Sequence, residues 1–265
     1  MPDNPIIHIL FVADIFGQVG KRMASKHIPS IIEERDVDLV IANGENIAGG
    51  FGLTDNLVQK LHNYGVDVIT SGNHIWDRKE FVAQIHHQKN VLRPFNYPPT
   101  APGKGSTIVE SRRGHLVGVL NLQGRTSMPQ TDCPFRMGQP EIERIRKQTP
   151  VIFVDFHAEA TAEKMALGWH IDGTVSALIG THTHVQTADE RILPGGTAYL
   201  TDAGMTGPHD SVIGVKPADA IRRFLTQVPT RFTPSEQGAR FCGVLLDIDT
   251  HTGKAIHIER LQIID

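Results

Sequence analysis

The sequence predicts a protein in the α/β to α+β range, with two sheets and helices packed outside them. Short apolar runs alternate with helical stretches through much of the chain, as in βαβ units. Segments of alternating polarity in the middle and at the C-terminal end are typical of β-hairpins. Small polar motifs directly follow several apolar runs. Alternation of strands and helices followed by hairpins favours this layered architecture.

The elements of the first half follow from these patterns in order. The near-continuous apolar run at 6–13 predicts a strand buried on both faces. A helix over about 21–35, a short strand at 38–42 and a glycine-rich loop at 43–52 come next. Thr54 and Asp55 begin a helix that reaches about residue 64, where Gly65 stops it. A third strand at 66–70 ends at a polar motif, and Asp77 or Lys79 opens another helix.

The second half is less regular. A proline-rich loop at 92–105 precedes two antiparallel strands at 107–111 and 116–120. Residues 123–140 show little periodicity and are predicted as a surface excursion, and 140–148 as a helix. Buried strands are predicted at 151–156 and 175–180 with a helix over 161–169 between them, and 241–249 with 254–263 form a closing hairpin.

The composition is that of a soluble globular protein. The 265 residues favour one domain, 1–265, because no repeat or linker interrupts them. A net charge of −3 gives no sign of an extended nucleic-acid surface or a polybasic membrane patch. With no leader-like N-terminus, no run near 18 apolar residues and only two cysteines, the sequence predicts a cytoplasmic protein without a membrane span.

Polar residues with metal-binding side chains follow five predicted strands or strand-like runs. In open α/β sheets ligands bind outside the carboxyl ends of the strands, so these positions support one another. Each residue alone also fits a turn or a helix cap. Together they favour a metal site with the ligands Asp14, Glu45, Asn46, Asn73, His157, His182 and His184, and His74 lies beside it in the same motif as Asn73.

The ligand types indicate the metal chemistry. Without clustered thiolates a structural zinc is disfavoured, and mixed oxygen and nitrogen ligands suit Mn, Fe or Zn. The number of ligands exceeds one tetrahedral site and suits two ions that share a carboxylate. Two ions about 3.5–4 Å apart can hold a bridging hydroxide that attacks a phosphoryl group. His74, next to Asn73, is then the natural general acid for the leaving oxygen.

These motifs resemble those of the calcineurin-like metallophosphoesterases, and their longer forms are similar to the YmdB-like bacterial phosphodiesterases. The likeness runs from Ile9 to about Ile263. Two departures from the wider superfamily, Phe16 in place of a histidine and Glu45 in place of an aspartate, are features of the YmdB-like branch. The motifs that carry the resemblance are Asn-Gly-Glu-Asn at 43–46, Gly-Asn-His-x-Trp-Asp at 72–77, Asn-Leu-Gln-Gly-Arg at 121–125, Asp-Phe-His-Ala-Glu-Ala at 155–160 and Gly-Thr-His-Thr-His-Val-Gln-Thr at 180–187.

The resemblance implies a four-layer α/β/β/α sandwich with a two-metal site, Fe or Mn being favoured over Zn or Mg. It assigns Asp14, Glu45 and His184 to one ion, with Asn46 or water where the histidine is missing. It assigns bridging Glu45, Asn73, His157 and His182 to the other ion, and protonation of the leaving group to His74. Arg125, in a family motif, is a candidate for substrate binding. A homo-oligomer is expected from the family alone.

The functional hypothesis is a metal-dependent phosphodiesterase for small phosphodiesters, with 2′,3′-cyclic nucleotides as the favoured substrates. A phosphomonoesterase or nuclease on the same scaffold is the enzyme alternative, because two-metal sites on one fold act on many phosphoesters. A regulatory protein that senses a nucleotide and turns it over slowly is the alternative from another class.

Overall fold

Two β-sheets lie face to face in the computed structural model, which describes residues 5–265. The strands are β1 (Ile6–Val12), β2 (Asp14–Ile15), β3 (Leu39–Asn43), β4 (Val68–Thr70), β5 (Ser106–Glu110), β6 (Leu116–Gln123), β7 (Ile152–His157), β8 (Ala177–Thr181), β9 (Arg191–Ile192), β10 (Ala198–Leu200), β11 (Met205–Pro208), β12 (Ala239–Asp249) and β13 (Ala255–Ile264). The helices are α1 (Gly17–Glu34), α2 (Asp55–Asn63), α3 (Lys79–Gln84), α4 (Pro134–Arg146), α5 (Thr161–His170) and α6 (Pro217–Thr226), with short 3₁₀ turns at Asn73–Trp76 and Ile85–His87.

The first sheet has seven strands in the order β2-β11-β12-β1-β3-β4, with β13 paired to β12. Its strands β1, β3 and β4 run parallel, and β12 pairs antiparallel with β1 and with β13. The second sheet has six strands in the order β5-β6-β7-β8-β10-β9, of which β6, β7, β8 and β10 run parallel. The loops that follow parallel neighbours in each sheet therefore emerge at one edge.

Alternation along β1 divides its side chains between two cores. Ile7, Ile9 and Phe11 belong to the core between the sheets, whereas Leu10 and Val12 belong to the core under the helices. Successive side chains of a strand point to opposite faces, so a strand buried on both faces is apolar throughout. The near-continuous apolar run predicted as the first strand has this origin.

Helices cover the outer face of each sheet. Met23 and Ile28 of α1 and Leu61 of α2 pack on the first sheet. Ile145 of α4 and Leu167 of α5 pack on the second sheet. The order of layers is therefore helix, sheet, sheet, helix, and the predicted four-layer α/β/β/α sandwich is confirmed. Within the described part of the chain, no helix has both the length and the apolar character that a bilayer crossing needs.

Most predicted elements are observed, but two helices begin earlier than predicted. The five strands predicted at 6–13, 38–42, 66–70, 151–156 and 175–180 are all present, with ends shifted by at most two residues. α4 begins at Pro134, so the prediction of an irregular segment through residue 140 is wrong at its end. Pro134 occupies the first turn, which favours proline, and Pro140 lies inside the helix.

The early start of α1 has a packing reason. The helix begins at Gly17 rather than near residue 21, and Gly20 lies within its first turn. A Cβ at Gly20 would lie 2.3 Å from the carbonyl oxygen of Thr206, so the helix approaches β11 more closely than any other residue type would allow. Glycine lowers helix propensity, which is why the local pattern places the start later.

Candidate metal centre

The predicted site residues come together at one edge of the two sheets. Because the parallel strands of each sheet end at this edge, their following loops converge there. Asp14 follows β1, Glu45 and Asn46 follow β3, Asn73 follows β4, His157 ends β7, and His182 and His184 follow β8.

One group of side chains surrounds the Nε2 atom of His157. This nitrogen lies 3.0 Å from Glu45 Oε1, 3.1 Å from Asn73 Oδ1 and 3.1 Å from His182 Nδ1. The ligand atoms of Glu45, His157 and His182 all lie within 4.8 Å of one another, which is close enough to hold one metal ion. The group combines a carboxylate, an amide oxygen and two imidazoles.

A second group surrounds the amide of Asn46. Its Nδ2 atom lies 3.4 Å from Asp14 Oδ1, 3.2 Å from Glu45 Oε1 and 3.2 Å from His184 Nε2. A half-turn of the amide exchanges this nitrogen for the oxygen, which is the atom that binds metals. Glu45 belongs to both groups, as a bridging carboxylate does.

Burial and charge make this donor set suitable for cations. Asp14 and Glu45 are both fully buried. Within residues 5–265 neither carboxylate forms a salt bridge with a lysine or arginine. The ionisable side chains beside them are histidines, His157 next to Glu45 and His184 next to Asp14. Burial raises the pKa of Asp14 well above its ordinary value. Buried carboxylates are normally paired or bound to metals, so the side chains present fit divalent cations.

Glu45 and His157 form a close buried pair. Burial alone would raise the pKa of Glu45, but the imidazole of His157 lowers it to about 2. Burial alone would lower the pKa of His157, but Glu45 raises it to about 9. The carboxylate and the imidazole therefore stabilise each other's charged forms.

His157 is oriented by a chain of hydrogen bonds on its other nitrogen. Its Nδ1 atom lies 2.9 Å from Thr181 Oγ1, which in turn donates to Asp155 Oδ1 at 2.7 Å. The Asp155 carboxylate also accepts hydrogen bonds from Thr70 and Asn43. Such outer partners fix the tautomer of a ligating histidine, so that Nε2 presents its lone pair to the site.

The segment that carries His182 and His184 has an unusual backbone. Both residues have positive φ, 98° at His182 and 66° at His184, a region that side chains other than glycine rarely adopt. His184 Nδ1 donates to the carbonyl oxygen of Ile213 at 2.9 Å, which turns Nε2 toward Asn46. Residues held in such conformations cluster at functional sites, where the surrounding structure maintains them.

A buried ion pair maintains this segment. Thr183, between the two histidines, donates its backbone N–H and its hydroxyl to Asp202 Oδ2 at 3.1 and 2.8 Å. The same oxygen accepts a hydrogen bond from Lys164 Nζ at 2.7 Å, and both charged side chains are almost completely buried. The segment is therefore anchored to α5 through Asp202.

Gly72 leaves the space that His157 occupies. A Cβ at this position would lie 2.1 Å from His157 Cδ2 and 2.2 Å from its Nε2. The glycine of the Ser-Gly-Asn-His motif at 71–74 is therefore required by the imidazole at the end of β7, and not by a positive φ.

His74 lies beside the two groups rather than within them. Its backbone N–H donates to Glu45 Oε2 at 3.0 Å, and its Nδ1 atom lies 2.8 Å from Asp77 Oδ2. Its imidazole is 28% exposed and packs against the ring of Phe51, with centroids 4.9 Å apart. Asp77 thus fixes Nδ1 as the protonated nitrogen and leaves Nε2 free to face a substrate.

A cavity of about 420 Å³ opens over the site. Its floor includes Glu45, Asn46, His182 and His184, and His74 lies on its wall. The remaining lining residues are mostly apolar and come from the first loops and from the region around α6: Phe16, Phe51, Val212, Ile213, Val215, Ala220, Phe224 and Phe232.

Arg125 is not among the side chains that line this cavity. It is exposed, and its backbone N–H donates to the carboxylate of Glu163. The cavity lining therefore gives no support to the predicted role of Arg125 in substrate binding. The sequence interpretation also missed Lys164 and Asp202, which carry no local motif because they lie 38 residues apart.

A known protein family matches nearly the whole chain. The family model described as "YmdB-like protein" matches residues 10–261. The chain belongs to the YmdB-like family. The predicted family is therefore confirmed over nearly the whole chain.

YmdB-like relatives align over nearly their full lengths. A Bacillus subtilis protein named 2′,3′-cyclic-nucleotide 2′-phosphodiesterase is 49% identical, and the alignment covers 98% of each chain. A putative phosphatase/phosphodiesterase of Mycoplasma genitalium is 39% identical over 97% of this chain and 93% of its own. These relatives support an enzyme that hydrolyses phosphate esters.

Two solved structures have the same fold. A hypothetical protein from Thermus thermophilus superposes with a TM-score of 0.91 and 40% identity, covering 98% of this chain and 100% of its own. A structure described as a novel phosphatase from Mycoplasma pneumoniae has a TM-score of 0.91 and 36% identity. The superposition covers 98% of this chain and 94% of the Mycoplasma chain.

Proposed function

We propose that the chain is a dinuclear metal-dependent phosphodiesterase that hydrolyses small phosphodiesters, with 2′,3′-cyclic nucleotides as the favoured substrates. The observation that carries the proposal is the pair of ligand groups that share the buried Glu45 under an open cavity. The name of the Bacillus subtilis relative supports the choice of substrate.

Each group would hold one ion. We assign Asp14, Asn46, His184 and the shared Glu45 to the first ion. We assign Asn73, His157, His182 and the same Glu45 to the second. Bound ions would neutralise charge on the phosphoryl group and lower the pKa of the attacking water. Fe or Mn fits the mixed oxygen and nitrogen donors, with Zn and Mg as alternatives.

His74 would act as the general acid. Its Nδ1–H is held by Asp77 at 2.8 Å, so the ring is oriented with Nε2 available to the leaving oxygen. The attacking water first gives up one proton to solvent, and as the resulting hydroxide bonds to phosphorus, the bond from phosphorus to one ribose oxygen breaks. The proton on His74 Nε2 passes to that oxygen, and a nucleoside monophosphate leaves. The hydrogen bond from the backbone N–H of His74 to the side chain of Glu45 keeps the general acid next to the proposed bridging carboxylate.

Replacing His74 tests this assignment. Metal-stripped protein resupplied with Mn²⁺ should hydrolyse 2′,3′-cyclic AMP, and His74→Ala should lower kcat by about 10²- to 10⁴-fold, the usual contribution of a positioned acid. Steady-state kinetics and metal analysis of the same samples should show full metal content in the variant. His87→Ala, an exposed histidine outside the site, is the matched control and should keep wild-type activity.

Other outcomes would favour the alternative functions. The Mycoplasma relatives are named as putative phosphatases as well as phosphodiesterases, so a phosphomonoesterase is the second candidate. Faster release of phosphate from adenosine 3′-monophosphate than hydrolysis of the cyclic nucleotide would favour it. Metal-loaded protein that binds the nucleotide but turns over neither compound would favour a nucleotide sensor. The homo-oligomeric state stays a prediction.

A further inference from the structure

The cavity has an apolar side that the proposed chemistry does not use. Phe51, Phe224 and Phe232, here called the aromatic wall, line it together with Val212 and Ile213. Phe224 is 74% exposed and Phe232 38% exposed, although both lie in the same cavity as the buried carboxylate of Glu45. Exposed aromatic side chains beside a polar site are typical of ligand-binding surfaces.

The helix α6 presents two different rows of side chains. Ala220 and Phe224 are four residues apart, share one face and both line the cavity. Ile221 and Leu225 form the next row, are 53% and 80% exposed, and are not among the lining residues. Only the first row is therefore continuous with the candidate metal centre.

We infer that the aromatic wall is the subsite for the nucleobase of a bound nucleotide. This inference rests on the proposed function. With the phosphate at the ligand groups, the base must extend into the rest of the cavity. At about 420 Å³ the cavity lies within the range of roughly 300–1,000 Å³ that small-molecule sites occupy. A flat aromatic base buries apolar area against phenylalanine rings, and a base-free phosphodiester would not.

The chemistry of the wall also predicts little discrimination among bases. Beyond the proposed ligands and His74, the polar side chains that line the cavity are Glu159 and Thr183. Both are already engaged, Glu159 3.2 Å from His182 Nε2 and the Thr183 hydroxyl with Asp202. Stacking tolerates any base because every base has a π-face, whereas recognition of one base needs hydrogen bonds to its edge.

Binding measurements test the subsite independently of turnover. The probes are adenosine 3′-monophosphate and inorganic phosphate, titrated calorimetrically into Mn²⁺-loaded protein. Phe224→Ala and Phe232→Ala should each weaken binding of the nucleotide by about 5- to 150-fold, the range for loss of one stacking contact, and leave the affinity for phosphate unchanged. The guanosine, cytidine and uridine 3′-monophosphates should bind the wild type and show the same dependence on Phe224.

Leu225→Ala is the matched control because Leu225 lies on the same helix, is more exposed than Phe224 and does not line the cavity. It should keep wild-type affinity for both probes. Wild-type affinity for the nucleotide in both phenylalanine variants would overturn the inference. An equal loss in Leu225→Ala, together with a changed sedimentation coefficient, would assign the exposed face of α6 to a second copy of the chain and also overturn it.

The proposed function is judged separately by turnover of glycerol 1,2-cyclic phosphate, which has the five-membered cyclic ester but no base. Hydrolysis of this compound at equal rates by wild type and Phe224→Ala, with a raised KM for 2′,3′-cyclic AMP only in the variant, supports the subsite. If neither cyclic ester is hydrolysed, the phosphodiesterase proposal fails. The inferred subsite is then judged only by whether nucleotide binding is weakened in Phe224→Ala and Phe232→Ala.

Discussion

At the scale of single residues, His157 shows how a buried imidazole becomes a candidate ligand. It has no exposed surface, so both ring nitrogens need partners. Nδ1 is paired with the hydroxyl of Thr181, and this hydroxyl donates a hydrogen bond to Asp155. Nε2 therefore lies among Glu45, Asn73 and His182. The orientation of the ring is therefore set by residues that never touch the proposed metal ion.

Thr181→Val should weaken metal binding by about 10- to 100-fold, the usual effect of removing an outer partner of a ligating histidine. Valine has a similar shape but cannot accept the proton on Nδ1 of His157. Titration of metal-stripped protein with Mn²⁺ against a chelating indicator measures the change. Thr70→Val is the matched control, because the Thr70 hydroxyl also donates to Asp155, at 2.5 Å, whereas the hydroxyl on His157 Nδ1 is that of Thr181. Equal losses in the two variants would contradict the proposed role of Thr181.

At the scale of elements, α5 supports the candidate metal centre through one buried ion pair. Lys164 on this helix forms an ion pair with Asp202, which follows β10. Asp202 in turn accepts two hydrogen bonds from Thr183, which lies between the two histidines of the loop after β8. A helix on the outer layer of the sandwich thus controls a segment with strained backbone at the sheet edge. The connection depends on three elements that are far apart in sequence.

Lys164→Met should destabilise the fold by about 3–5 kcal/mol, because it leaves the Asp202 carboxylate buried without its partner. Urea unfolding measured by circular dichroism gives the free energy of unfolding. Arg35→Met is the control, since Arg35 and Glu259 form an exposed pair whose loss should cost less than about 1 kcal/mol. Similar costs for the two variants would show that the buried pair does not have this role.

At the scale of the whole molecule, the candidate metal centre joins the two sheets. Asp14, Glu45 and Asn73 follow strands of the first sheet, while His157 ends a strand of the second sheet and His182 follows another. An ion bound between them would link two layers that otherwise contact each other through the apolar core between the sheets. Metal binding should therefore stabilise the whole fold and not only the loops.

Adding Mn²⁺ to metal-stripped protein should raise Tm. At 100 times Kd the gain in stability is about 2.7 kcal/mol, which corresponds to roughly 5–10 °C for a chain of this size. Differential scanning calorimetry over a series of Mn²⁺ concentrations measures the shift. His182→Ala removes one proposed ligand and should show a smaller shift at each concentration. A Tm that does not change with Mn²⁺ would contradict the assignment of the ligand groups.

The family, the order of layers and the residues that converge at the sheet edge could all be predicted from the amino-acid sequence. These features are local, because each polar motif directly follows a strand and parallel strands end at the same edge. The buried strands were equally predictable, since burial on both faces makes a strand apolar throughout. Local patterns failed at α6 and at the strands β2, β9 and β11, which the sequence prediction does not contain, and at the starts of α1 and α4.

The partners that surround the site could be identified only from the folded chain. The resemblance already assigned Asn46 to the ion of Asp14, Glu45 and His184, but the distances from its amide to these side chains come only from the folded chain. The pair of Lys164 and Asp202 and the aromatic wall also join residues with no sequence motif in common. Their physical basis is contact between segments far apart in the chain, which periodicity and spacing do not encode.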